Sequence, residues 1–276
     1  MKYFGLTGFP LGHSLSPVIH RELFRLAGID GEYTLYEIAS DKLGDGIASL
    51  KNNLCGFNVT IPHKVNVIPF LDELNEKAAL FGAVNTVKVG EKCVGYNTDC
   101  IGFLRALELA GIELKGNVLV CGAGGVARMF AFEAALAGCE LTIAARNEDI
   151  DSANVIKAEI MDKLKVEAHI INLKDVNCCY DLIINGTPVG MHPNTDACVL
   201  PKQIIQKSGA VFDAIYNPKE TLLIKYAKEA GTKYSNGLSM LVLQAVAAEE
   251  IWNDISFSAE DVKKVIKITE TELEKK

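Results

Sequence analysis

Residues 118–127 read VLVCGAGGVA, and their reading decides the fold. An apolar run that suits a buried strand meets three glycines, and the apolar stretch MFAFEAALAG follows at helical composition. Gly122, Gly124 and Ala127 fit the spacing G-x-G-x-x-A, directly after a strand and at the head of a helix. Glycine lets backbone N–H groups come close to a pyrophosphate, and a helix N-terminus favours anions. Ala123, Gly125 and Val126 complete the turn, Gly125 adding further room. The pattern is weak alone and gains weight from the strand before it and the helix after it. A doubly wound, dinucleotide-binding unit is the expectation.

The end of the next strand, ELTIAAR at 140–146, selects the dinucleotide. A site for NAD usually places an acid there to hold the ribose 2′-hydroxyl. Here Ala144 and Ala145 lead into Arg146, with no acid before it. A guanidinium at that point suits a 2′-phosphate and stacks on adenine, so NADP(H) is favoured over NAD(H). Glu148 and Asp149 follow and are free to cap the next helix.

Outward from this loop the strand and helix signals alternate. VEAHIIN, YDLIINGT and GAVFDAI supply further strands, nearly continuous in Val, Ile and Leu, as a parallel sheet covered on both faces requires. IDSANVIKAEIMDKL, PKQIIQ and PKETLLIKYAKEAG read as helices. The first hundred residues form another α/β unit. SPVIHRELFRLAG is a helix with Ser16 as cap, Pro17 in the first turn and Gly28 past the end. CGFNVT at 55–60 is a strand, PHKVNVIPFL starts a helix at Pro62, and AVNTVKV and KCVGYNT pair near Gly90. From Gly237 onward only helices are expected. They either extend the second unit or fold back on the first.

Composition excludes several classes. The chain has 276 residues, 49% hydrophobic and 23% charged, ample for a core without metal or disulfide. The formal net charge of -7 supplies no basic stripe for nucleic acid or an anionic membrane. No pair of the eight cysteines has C-x-x-C spacing, and most lie in apolar runs where free cysteine packs as a small hydrophobe. The N-terminus lacks a signal-peptide core, and nowhere do 18 uncharged apolar residues run together. A reduced cytoplasmic protein is the expectation.

The chemistry is sought at strand ends, where open α/β folds place it. CGFNVTIPHK begins as buried strand and ends by delivering the amine of Lys64. Asn58 and Thr60 point polar groups from the same strand end, and Pro62 fixes the turn. Asp99 ends another strand, VGYNTD, also followed by a helix. An amine and a carboxylate at adjoining strand ends form a proton-transfer unit, in which Asp orients the amine and Lys moves the proton. His13 and His63 sit beside Ser14 and Lys64, but neither has metal-ligand spacing, and neither is expected to be essential. No metal site is expected.

SLSP at 14–17, GFNVTIPHK, GAVNT at 82–86, GYNTD at 95–99, GAGGVA, NGTPVGM at 185–191 and GLSMLVLQA at 237–245, in that order, resemble the shikimate dehydrogenase family. The resemblance runs from Thr7 to about Trp252. It implies that Lys64 and Asp99 are the catalytic pair. It implies that Ser14 and Ser16 hold the substrate carboxylate, that Thr60, Asn85 and Gln244 contact its hydroxyls, and that Tyr216 approaches the carboxylate. It further implies cofactor contacts from Gly122, Ala123, Gly124, Gly125, Val126, Ala127, Arg146, Thr187, Ala214 and Gly237. The family often carries Asn-Arg-Thr after the second strand of the dinucleotide unit, where this chain has Ala145, Arg146 and Asn147.

By this resemblance residues 1–100 and 237–276 form the substrate-binding, catalytic domain, and 101–236 the NADP-binding Rossmann domain. The C-terminal helices return to the first domain, and a cleft between domains holds both reactants. The implied activity is reversible reduction of 3-dehydroshikimate to shikimate with NADPH, within aromatic amino-acid biosynthesis. The partners are small molecules, neither nucleic acid nor membrane, and the chain is a monomer or a homodimer. A quinate or quinate/shikimate dehydrogenase on the same scaffold is the near rival, and a catalytically inactive nucleotide-binding regulator the distant one.

Overall fold

Strand and helix alternate through most of the computed structural model, which describes residues 1–12 and 14–275. His13 lies outside the described residues. The chain divides into two compact units, Met1–Gly102 with Leu241–Lys276, and Phe103–Met240.

The first unit contains β1 (Lys2–Gly8), α1 (Ser16–Ala27), β2 (Gly31–Glu37), α2 (Leu43–Asn53), β3 (Gly56–Val59), β4 (Glu73–Leu74), α3 (Glu76–Phe81), β5 (Thr86–Lys88) and β6 (Val94–Tyr96), and the start of α4 (Thr98–Leu109). Its sheet has the order β2-β1-β3-β5-β6-β4. β1 is parallel to both neighbours, whereas β3–β5 and β5–β6 are antiparallel. This places the ends of β3 and β6 and the start of β5 in one region, because an antiparallel neighbour reverses which end of a strand faces it.

Local sequence explains the element boundaries. α1 stops at Gly28, whose φ of 65° a Cβ would strain. α3 starts where the Asn75 side chain accepts from the Ala78 N–H. Two expectations change. Ser16 is the first residue of α1 rather than its cap, and the Ser14 hydroxyl accepts the Ser16 N–H at 3.1 Å. The stretch from Pro62 is turns and a short 3₁₀ segment at Ile68–Phe70, not an α-helix. Pro69 has no N–H to continue a helix, and Val65, Val67 and Ile68 are β-branched.

The second unit contains the rest of α4, then β7 (Asn117–Cys121), α5 (Gly125–Leu136), β8 (Glu140–Ala145), α6 (Ile150–Leu164), β9 (Ala168–Asn172), β10 (Leu182–Asn185), α7 (Lys202–Lys207), β11 (Ala210–Asp213), α8 (Leu222–Glu229) and β12 (Lys233–Asn236). All pairings are parallel, in the order β12-β11-β10-β7-β8-β9, that of a Rossmann sheet. β12, KYSN, is a strand beyond those expected. It is a polar edge strand that only the pairing with β11 defines. Phe103, Phe130 and Phe212 pack with centroids 4.5–5.5 Å apart under one face, and Leu119, Ile183, Val211, Leu223 and Ile224 fill another cluster.

α9 (Gly237–Asn253) leaves the second unit at Met240, and α10 (Ala259–Leu273) follows it. In the first unit Trp252 of α9 stacks on Phe4 at 4.9 Å and donates its indole N–H to the Val87 carbonyl at 2.9 Å. A Cβ on Gly56 would lie 2.4 Å from that indole nitrogen, so only glycine lets α9 approach β3 this closely. Among the described residues no helix is long and apolar enough to cross a membrane.

Candidate active site

Lys64 lies five residues past the end of β3, in the turn that Pro62 opens, and its backbone carbonyl accepts from the Val84 N–H at 2.8 Å. Its Nζ donates to Asp99 Oδ2 at 2.6 Å. The two side chains are 32% and 20% exposed, so the pair is sheltered but reachable. Asp99 is in the first turn of α4, where free backbone N–H groups favour a negative side chain.

Asn85 sits beside this pair, just before β5. Its Nδ2 donates to Thr98 Oγ1 at 3.0 Å and reaches Gln244 Oε1 at 3.5 Å, and its Oδ1 accepts the Thr98 N–H at 2.6 Å. Gln244 on α9 is anchored through its Nε2 on the Leu241 carbonyl. Thr60 is tied by its N–H to the Thr7 carbonyl, and the preceding Val59 N–H goes to the Asn85 carbonyl. Lys64, Asp99, Thr60, Asn85 and Gln244 therefore belong to one hydrogen-bonded region of the first unit. Ser14 and Ser16 precede and open α1 in the same unit.

His63 is fully buried with Nε2 on the Ile38 carbonyl at 2.6 Å, a contact that fixes the turn beside Lys64. Among the described residues no group of three or more His, Cys, Asp or Glu side chains is arranged to hold a metal ion.

In the second unit Gly122 has φ 107°, and a Cβ there would meet Thr187 Cγ2 at 3.0 Å and the Gly186 backbone at 3.3 Å. Gly186 in turn would clash with Ala127, 2.8 Å away, so the turn needs small residues on both sides. Gly124 and Gly125 differ: a Cβ on either meets nothing within 4 Å. Gly124 is the N-cap of α5, and no side chain caps the helix. Free N–H groups with open space in front of them fit the pyrophosphate of a dinucleotide.

Arg146, just past β8, is exposed, with its guanidinium on Asp149 at 2.8 Å and Glu148 at 3.2 Å. Asp149 occupies the cap position of α6 but makes no side-chain cap bond; it serves the arginine instead. The hydrogen bond to Asp149 and the charges of both acids raise the Arg146 pKa further. A 2′-phosphate fits the exposed guanidinium, provided that it competes with these two carboxylates.

The Thr187 hydroxyl donates to Asn185 Oδ1 at 2.7 Å, and Asn185 Nδ2 donates to Asp213 Oδ1 at 3.0 Å. Asp213 is fully buried at the end of β11 and also accepts from Thr221 Oγ1 at 2.5 Å and the Ile215 N–H at 3.1 Å. Burial pushes its pKa up to about 6 despite these bonds. Gly237 packs on Ala214, where a Cβ would lie 2.0 Å from the carbonyl oxygen. Tyr216 follows β11 in this unit, partly exposed, its pKa raised by burial of the ring.

The profile of a shikimate dehydrogenase substrate binding domain matches residues 6–87. The shikimate dehydrogenase (NADP(+)) of Methanococcus maripaludis strain C6 is 43% identical over 259 residues, 91% of each chain. The chain belongs to the shikimate dehydrogenase family. Among solved structures, shikimate 5-dehydrogenase from Thermus thermophilus in complex with NADP(H) and shikimate aligns with a TM-score of 0.88 at 31% identity, covering 98% of this chain and 100% of that one. The enzyme from Listeria monocytogenes in complex with shikimate and NAD aligns with a TM-score of 0.88 at 32% identity, over 96% of each chain.

In this shikimate dehydrogenase family member, the buried polar network around Asn85 is broader than the motifs suggested. Thr98 bridges Asn85 and Thr86, and Asn58, only 5% exposed, donates to Thr86 Oγ1 at 2.9 Å. Asparagine inside a buried strand, flanked by Phe57 and Val59, was the available signal for Asn58. Thr86 and Thr98 carried none beyond lying in the NT pairs of GAVNT and GYNTD. Asp213 had the signal of an acid ending an apolar strand.

Proposed function

We propose that the protein interconverts 3-dehydroshikimate and shikimate with NADP(H), a step of aromatic amino-acid biosynthesis carried out in the cytoplasm. The observation that carries this reading is the Lys64–Asp99 pair at 2.6 Å, between the turn after β3 and the first turn of α4, in a chain of this family. Gly122, Ala123, Gly124, Gly125, Val126 and Ala127 would hold the pyrophosphate, Arg146 the 2′-phosphate, and Thr187, Ala214 and Gly237 the nicotinamide end. Bound NADPH would supply a hydride to the C3 carbonyl carbon of 3-dehydroshikimate.

The chain's own groups do the rest. Lys64, as ammonium, hands a proton to the oxygen of that carbonyl as charge develops on it, and in oxidation the amine takes the proton back. Asp99 keeps the amine at one position and balances its charge. Ser14 and Ser16 receive the ring carboxylate, with Tyr216 approaching it. Thr60, Asn85 and Gln244 pair with the hydroxyls, so that buried polar groups on both sides are satisfied. Residues 1–100 with 237–276 act as the substrate domain and 101–236 as the cofactor domain. The chain works as a monomer or homodimer, with no nucleic-acid or membrane partner.

The test is reduction of NADP⁺ in the presence of shikimate, with quinate as comparison. Lys64→Ala should cut kcat by about 10²–10⁴-fold, the range of general acid–base catalysis. NADP⁺ binding, measured by titration, should persist. Near-normal kcat with only a raised KM would make Lys64 a binding group and leave the proton to another residue or a water.

A further inference from the structure

Two ionisable side chains deep in the first unit have no part in the mechanism above. His20 on α1 and Glu249 on α9 are both 0% exposed, and His20 Nδ1 lies 2.6 Å from Glu249 Oε1. Glu249 Oε2 also accepts from Asn253 Nδ2 at 2.9 Å. A buried pair of ionisable groups is weak evidence for stability, because desolvation offsets its attraction; its better-attested use is to fix one arrangement of neighbours. Here the neighbours are informative. His20 is one turn beyond Ser16 on the same face of α1. Glu249 is five residues beyond Gln244 on α9.

The His20 ring stacks flat on Tyr33 of β2, with centroids 3.9 Å apart and planes 7° from parallel. The Tyr33 hydroxyl donates to Asn58 Oδ1 at 2.7 Å. Asn58 passes the chain on, from Nδ2 to Thr86 Oγ1 at 2.9 Å and to the Asn85 carbonyl at 3.2 Å. One phenolic oxygen thus joins β2 to the strand end that leads to Asn85. The Tyr33 oxygen remains a donor at ordinary pH, since burial first and the Glu249 charge second push its pKa well above the usual value.

We propose that Tyr33, clamped by the stacked His20–Glu249 pair, is a positioning residue that sets Asn58, and through it Asn85, for the hydroxyls of the substrate. The proposal rests on the reading of this unit as a shikimate site.

Tyr33→Phe tests it, because the ring and its stack on His20 remain and only the hydroxyl is lost. Loss of one such hydrogen-bonded joint should raise the Kd for shikimate, measured calorimetrically without cofactor, by roughly 5- to 30-fold. KM for shikimate should rise in parallel, kcat should fall by less than about threefold, and NADP⁺ affinity should stay unchanged. A purely structural role would lower Tm and leave Kd and KM within twofold of wild type, and that result overturns the proposal. Should Tyr33→Phe not fold, Glu249→Gln is read instead. A smaller KM rise with kcat kept supports the clamp, and an unchanged KM overturns it. Wild type assayed alongside separates the two readings. A wild type that binds and oxidises shikimate, with an unaltered Tyr33→Phe, sinks the positioning role alone. A wild type that neither binds nor oxidises it sinks the functional reading and the positioning role together.

Discussion

At the scale of single residues, the test for Ser16 is cleaner than the sequence suggested. Read as a helix cap, Ser16 would have both stabilised α1 and bound substrate, and Ser16→Ala would have mixed the two effects. With Leu15 at the cap position and no side-chain cap bond, it is the Ser14 hydroxyl, accepting the Ser16 N–H, that holds the turn leading into α1. Ser16→Ala should therefore raise the KM for shikimate with little change in Tm, whereas Ser14→Ala should raise KM and also lower Tm, by the loss of one hydrogen bond, about 0.5–1.5 kcal/mol. Steady-state kinetics beside thermal melts decide it. A Tm loss for Ser16→Ala with kinetics intact would make Ser16 structural. Lys64, Asp99, Asn85 and Gln244 stood out as candidates because each lies in a short motif contiguous in sequence. Tyr33, His20 and Glu249 were not, since each makes its contact with residues far away in the chain, and nothing local in EYTLYEIA or AAEEIW marks which acid or which ring is buried.

At the scale of elements, the glycine turn between β7 and α5 was the most legible part of the fold, and its glycines do different jobs. Gly122 answers to the protein: a φ of 107° and close Thr187 and Gly186 atoms leave no place for a Cβ. Gly122→Ala should cost about 1–3 kcal/mol of stability, seen as a lowered Tm. Gly124 answers to what lies outside the protein, because its Cβ would enter open space at the uncapped start of α5. Gly124→Ala should leave Tm nearly unchanged and raise the KM for NADP⁺ roughly tenfold, equivalent to about 1.4 kcal/mol. An unchanged KM for NADP⁺ would remove the pyrophosphate from this turn. Elements with weak signals misled in proportion. The run from Pro62 carried helix-like apolar spacing, but Pro69 and β-branched residues hold it as turns. KYSN is a strand only because the β11 edge is there to pair with it.

At the scale of the whole molecule, hydrophobic periodicity left the closing helices unassigned. Only contacts such as Trp252 on Phe4 and its indole N–H on Val87 say which core they complete. The same long-range burial governs how stability responds to pH, and Asp213 makes the sharpest case. Its pKa is pushed from the ordinary aspartate range up to about 6, with burial as the main cause, and its three hydrogen bonds only partly offset that. The folded-state pKa is therefore above the unfolded one. Below about pH 4 both states are protonated and the contribution is intact. As pH rises from about 4 through 6 the unfolded chain gives up its proton first, so this contribution to stability is lost, by up to about 3 kcal/mol. Glu249, also raised by burial, acts with the same sign. Glu113, Glu229 and Asp261 are lowered by lysine or serine partners and act oppositely, but all three are solvent-facing and weakly coupled to folding. Asp213→Asn separates this effect from the rest. Its amide oxygen still accepts from Asn185 and the Ile215 N–H, and its NH₂ turns to the Thr221 hydroxyl. Urea denaturation from about pH 4 to 7 should show wild type losing stability relative to Asp213→Asn across that window, and a constant difference between the two curves would mean that Asp213 titrates as an ordinary carboxylate.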